Sequence, residues 1–152
     1  MDWVLEMLAI TSLVAIFVVV LANWASLPAQ VPLHFDAAGR PNGWGSKTGL
    51  VPLPFIAAAI YALLTFAGRN PRLVNLPFKI DRNAPQVQSL LLRMSINLKL
   101  VLLWVFFYIV LGIVHTASGR SEGLGKVLLP ASLVVILLLP CYYFVKLRPF
   151  RQ

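Results

Sequence analysis

Four long apolar runs alternate with polar connections along this chain, and their lengths set the architecture before any single residue does. The first runs from Trp3 to about Trp24. As an α-helix it would rise about 31 Å, which matches a hydrocarbon core of about 30 Å and places one tryptophan at each interface. The second covers about 50–67, opened by Pro52 and Pro54 and stopped by Gly68, in keeping with proline in a first turn and glycine past a last one. Ala57, Ala58, Ala59 and Ala62 give it a face that another helix can approach closely. The third covers about 96–115, with a helical pattern reaching back to Ala84 and with Trp104, Phe106, Phe107 and Tyr108 at its middle. The fourth covers about 127–145, with Pro130 in its first turn and Pro140 expected to kink it. The pattern predicts an all-α integral membrane protein, a single domain over 1–152 with four transmembrane helices.

Two polar stretches interrupt it. Residues 68–88 form a basic connection, with Arg69, Arg72, Lys79 and Arg82 against Asp81 and with Pro71, Pro77 and Pro85; no fold is suggested there. Residues 27–49 form a loop rich in turn-making and binding types, with His34, Asp36, Asn42, Trp44 and Lys47 among Gly39, Gly43, Gly45 and Gly49. From Val31 to Asp36 the residues alternate as in an extended segment, which would turn His34 and Asp36 to one face and Phe35 to the other. Asn42-Gly43 predicts a tight turn.

Composition agrees with the membrane assignment: 59% of the 152 residues are hydrophobic and mean hydropathy is +0.82, against about 45–50% apolar residues in a soluble domain. Four spans use nearly the whole length, so any site lies in loops or between helices. The net charge of +8 is scattered at the ends of the apolar runs rather than gathered into a stripe, which argues against nucleic acid. Arg40, Lys47, Arg120 and Lys126 lie in the first and third connections. Arg69, Arg72, Lys79, Arg82, Arg93, Lys99, Lys146, Arg148 and Arg151 lie in or beside the second connection and the tail. Positive residues stay inside, so both termini are expected in the cytoplasm, with the 27–49 loop facing outward. The start carries Asp2 and Glu6 without Lys or Arg, which favours a retained first span over a cleaved signal. Cys141, the single cysteine, reads as packing inside the fourth span.

Few residues carry chemistry. His34 and Asp36 at i and i+2 of an extended segment, with His115 at the outer end of the third span and Glu122 beyond it, have the types needed for a zinc site with an open position. The alternative is that His34 bonds loop backbone and His115 sits at the interface. Gly43-Trp44-Gly45-Ser46-Lys47-Thr48 lacks the Gly directly before Lys that a phosphate-binding loop needs, and reads as a turn whose Lys47 and Trp44 address headgroups or an anionic ligand. Within the spans, Glu6 and Lys99 enter from the same side by about one turn each, so Lys99 either snorkels outward or forms an intramembrane ion pair with Glu6. Asn23, in the last turn of the first span, is placed to cap the helix or to bond the loop.

The order Trp24-x-x-Leu27-Pro28-x-x-Val31-Pro32-x-His34-Phe35-x-x-x-Gly39-x-Pro41-Asn42-Gly43-Trp44-Gly45-Ser46-Lys47 resembles domain of unknown function 1648, the membrane domain at the front of SdpI-like bacterial proteins. That family is named for an immunity protein against a secreted killing peptide. The resemblance implies a multi-pass protein of the bacterial cytoplasmic (inner) membrane whose outward loop carries the signature. His34, Phe35, Gly39, Asn42, Gly43, Gly45 and Lys47 are the positions it marks, and it implies no catalytic role for them.

The expectation is a protein that binds or senses an extracytoplasmic peptide toxin, lipid or membrane-protein partner through this loop, in immunity or signalling. His34, Phe35, Asp36, Gly39, Asn42, Gly43, Trp44, Gly45 and Lys47 are the candidate contacts. A metal-dependent membrane hydrolase built on His34, Asp36 and His115 is the alternative, with zinc as its metal. A small transporter is the second, although Glu6, Asn23, Asn97 and Lys99 draw no polar path across the bilayer. Oligomeric state and ligand identity are open at this level.

Overall fold

The computed structural model describes residues 2–151. In chain order it has helix α1 (Asp2–Asn23), strands β1 (Gln30–Phe35) and β2 (Pro41–Ser46), helix α2 (Pro52–Arg69), helix α3 (Pro85–Ala117) and helix α4 (Leu128–Leu147). Short 3-10 turns at Lys47–Leu50, Pro71–Leu73 and Arg148–Phe150 join them. The four α-helices are long and apolar enough to cross a membrane, so this is a multi-pass membrane protein. Pro52 and Pro54 do fall in the first turn of α2, where a missing N–H costs no helical bond.

α3 is the axis of the bundle. Its 33 residues would rise about 50 Å, well beyond the hydrocarbon core, so the helix projects past the bilayer at the end bearing the basic connection. A third of its most apolar window is buried within the protein, against 6% for α4. α1 and α2 close on α3 through Ala9, Ile16, Val20, Ala57, Leu103 and Val110. Of the alanine face on α2, Ala57 is the fully buried member. Gly68 extends the close approach, since a Cβ there would lie 2.9 Å from that of Ser95. α4 lies along α3 with most of its apolar surface turned outward.

The basic connection has a core of its own, contrary to the sequence expectation. Val74, Leu76 and Phe78 pack on a cluster of Ile80, Val87, Leu91, Met94, Tyr143 and Leu147, and Ile80 forms an antiparallel bridge with Arg151. Arg82 Nη1 donates to the carbonyls of Pro71 and Arg72 at 3.1 and 2.7 Å, tying the segment back on itself. The prolines interrupt regular structure here without preventing packing.

Candidate functional site

The 27–49 loop is a β-hairpin clamped onto one end of the bundle. β1 and β2 pair antiparallel, with Val31 opposite Gly45, Pro32 opposite Trp44 and His34 opposite Gly43, and with irregularities on either side of His34. Alternation along β1 puts Leu33 and Phe35 on the side of Val31, where they pack on a cluster of Leu27, Val31, Leu50 and α3 residues Ile113 and Val114. The expected inward turn of Phe35 is therefore met.

The glycines of the signature are explained by Leu33. A Cβ on Gly45 or on Gly49 would come within 2.6 Å of Leu33 Cδ1, and one on Gly43 within 2.9 Å of His34 Cβ. The bare backbone of β2 is the bed on which β1 lies. It also fixes where the chain reverses. Asn42-Gly43 is inside β2, which corrects the expected tight turn there; the reversal is at 36–40. Asp36 Oδ1 accepts the backbone N–H groups of Ala38 and Arg40, each at 2.9 Å, and Oδ2 accepts Arg40 Nε at 2.9 Å. Gly39 completes the turn at φ +73°, in the left-handed region that glycine enters without steric cost. The Arg40 backbone N–H, then the Arg40 guanidinium and the Ala38 N–H, hold the Asp36 carboxyl below the usual aspartate range despite some opposing desolvation.

The turn is locked to the α3–α4 connection. Leu124 donates its N–H to the Gly39 carbonyl at 2.8 Å, and the backbones at Gly39, Gly123 and Gly125 lie so close that a Cβ on Gly39 or Gly123 would clash with the facing chain. Leu124 in turn is seated over Gly112 of α3. Gly112, Gly123, Leu124 and Gly125 were not singled out as site residues from the sequence; the one signal there is Gly119, Gly123 and Gly125 crowded into the third connection.

Lys47 holds the other end. Its Nζ donates to the carbonyls of Trp24 and Leu27 at 3.1 and 3.4 Å and lies 5.2 Å from the Trp24 ring centroid, satisfying carbonyls left open where α1 ends. Asn23, expected to cap its helix or to bond the loop, donates its side-chain amide to the Val19 carbonyl of its own helix at 2.8 Å.

These contacts separate the candidate residues into two groups. Asp36, Gly39, Gly43, Gly45 and Lys47 build and anchor the hairpin, and Phe35 packs it. His34, Asn42 and Trp44 are exposed, Trp44 by 54%, and none of the three side chains has a hydrogen-bond or ion-pair partner among the described residues. Asn42 and Trp44, at alternate positions of β2, share one face of that strand, and His34 lies across from Gly43 between them.

The zinc constellation is not assembled. Among the described residues no three His, Cys, Asp or Glu side chains come together as a metal-holding group, so His34, Asp36 and His115 do not form one, with or without Glu122. Asp36 is engaged by the turn it caps, and His115 is half-buried in the last turn of α3.

Glu6 and Lys99 meet at the opposite end. Lys99 Nζ lies 2.7 Å from both carboxylate oxygens of Glu6 and 2.9 Å from Thr65 Oγ1, and Tyr61 Oη donates to Glu6 Oε1 at 2.6 Å. Lys99 is 1% exposed, so it does not snorkel. Asn97 donates to Tyr143 Oη at 2.6 Å, joining α3 to α4 rather than marking a path.

Comparison with known proteins agrees with the hairpin. The family model described as "Domain of unknown function (DUF1648)" matches residues 11–58, which span most of α1, the whole hairpin and the start of α2. An uncharacterized protein of Archaeoglobus fulgidus is 38% identical over 65 residues. That alignment covers 38% of this chain and 36% of the relative, so it reaches little more than a third of either. No solved structure matches. The chain is thus a four-helix membrane protein whose first third is similar to DUF1648.

Proposed function

We propose that this is a recognition protein of the SdpI-like type in the cytoplasmic membrane, with its hairpin outside and both termini inside. His34, Asn42 and Trp44 are its contact surface for an extracytoplasmic peptide or a segment of a partner membrane protein. One observation carries this reading: the other polar signature residues are taken up in building the hairpin, while these three side chains stand exposed without partners on a backbone fixed at both ends. A preorganised surface loses little conformational entropy on binding, and exposed tryptophan is a frequent anchor of binding energy. The unequal distribution of Lys and Arg supports the orientation. The resemblance to SdpI-like proteins adds the role, sequestering a secreted peptide or signalling its arrival.

Photocrosslinking in cells tests this. A photoreactive side chain at Asn42 is expected to give a discrete adduct that falls about tenfold with Trp44→Ala, the loss expected of a modest anchor, while the variant keeps the thermal stability of the parent. Absence of an adduct, or one indifferent to Trp44, overturns the assignment; adducts to lipid alone replace recognition of a partner by headgroup contact.

A further inference from the structure

We propose that the cleft at the basic end of the bundle binds the headgroup of one anionic glycerophospholipid. The cleft, about 270 Å³ in volume, lies among α1, α2 and α3, with Trp3, Leu64 and Ile96 as apolar walls and Thr65, Ser95 and Arg69 as polar ones. A second cleft of about 420 Å³ shares Arg69 and Leu92 with it and extends to Gln88 and Ser89, so Arg69 borders both spaces.

Charge selects the ligand. Lys99 and Glu6 both border the first cleft and pair at 2.7 Å; Arg69, near enough to act electrostatically on Glu6 but with no hydrogen bond or salt bridge of its own among the described residues, leaves the lining with one net positive charge. One net positive charge matches one phosphodiester, and the planar fork of an arginine suits phosphate oxygens. Ser95, Gln88 and Ser89 supply neutral partners for glycerol hydroxyls, whereas a choline headgroup would bring its own cation against Arg69. The apolar walls and the outward-turned Trp3 fit acyl chains, which a free anion lacks. The cleft also lies at the end of the bundle where the basic connection and tail cluster, the surface expected to attract anionic lipid.

The test uses the full chain in phosphatidylcholine nanodiscs, titrated with phosphatidylglycerol and followed by native mass spectrometry and thermal unfolding. One phosphatidylglycerol is expected to be retained and to raise the melting temperature, with apparent affinity about tenfold lower in Arg69→Gln, the equivalent of about 1.4 kcal/mol. Leu92→Trp, which fills the shared wall without changing charge, is expected to abolish retention, and it decides the matter if Arg69→Gln fails to fold. Arg148→Gln, the same charge loss in the 3-10 turn that follows α4 and away from the cleft, is expected to bind as the parent does. Equal weakening by Arg148→Gln would mean diffuse surface attraction and overturn the site. Equal stabilisation by inorganic phosphate or soluble glycerophosphoglycerol would mean a free-anion site and overturn the lipid assignment.

Discussion

The backbone N–H of Leu124 donates to the carbonyl of Gly39 at 2.8 Å, joining the hairpin turn to a loop from the far half of the chain. Gly39 sits at φ +73° with the Gly125 backbone where a side chain would be. Gly39→Ala therefore combines left-handed strain of about 1–2 kcal/mol with a backbone clash that no rotamer relieves. Thermal unfolding in detergent is expected to show at least about 2 kcal/mol of destabilisation. A loss below about 0.5 kcal/mol would mean that the two loops are not docked.

Leu33 lies against both Gly45 and Gly49, and the end of this flexible side chain can shift away from one added methyl more readily than from two that meet the same Cδ1. Gly45→Ala and Gly49→Ala are each expected to cost about 1 kcal/mol, and the double variant more than their sum, as for neighbours sharing one space. Adding Leu33→Ala to the double variant should recover part of the loss. Strict additivity in chemical unfolding would contradict this packing.

Asp36 gives the hairpin turn a defined pH response. Its folded-state pKa lies below the ordinary aspartate value, so the stabilisation is complete above the unfolded-state pKa of about 3.9 and is lost as pH falls through the lower, folded one. Amide chemical shifts of Ala38 and Arg40 are expected to titrate together with a midpoint below about 3.9, and the step should vanish in Asp36→Asn. A midpoint at or above that value would show that the carboxylate is not held by these donors.

Lys99, itself buried, pairs at 2.7 Å with the half-buried Glu6, and Thr65 and Tyr61 complete their bonds. Breaking such a pair from one side leaves an uncompensated charge and typically costs about 3–5 kcal/mol. Lys99→Met and Glu6→Gln are each expected to destabilise strongly, with the double variant closer to the parent than either single one. Denaturation with a graded detergent series reads this; three equal losses would refute mutual compensation.

The four spans were legible because run length and hydropathy are set by the bilayer itself, which imposes the same demand on every helix. The alternation at Val31, Leu33 and Phe35 was legible for a similar reason, since one side of the strand had to face apolar helices. The turn position was not: Asn42-Gly43 has the stronger local propensity, but Gly43 is needed bare beneath β1 and Asp36 captures the backbone N–H groups of its own turn. The packed connection did leave a trace, in Val74, Leu76, Phe78 and Ile80 at every second position, which Pro77 and the flanking Pro71 and Pro85 obscured. For the site, the sequence gathered the right stretch but could not separate residues that build the hairpin from those left to bind. Lys47 and Asp36 look like ligand contacts by type, and only the carbonyls and N–H groups they reach make them structural. His115 was joined to His34 by side of the membrane alone, which is too weak a constraint to make a metal site.

Recognition of an extracytoplasmic partner requires the hairpin to face outward, so the most direct measurement is thiol labelling of intact cells with a membrane-impermeant reagent. In a Cys141→Ser background, Ala37→Cys in the hairpin turn and Asn75→Cys in the basic connection both present exposed positions. Ala37→Cys is expected to label in intact cells and Asn75→Cys only after permeabilisation. Labelling of Asn75→Cys from outside, with Ala37→Cys protected, would place the hairpin in the cytoplasm and contradict the proposed function.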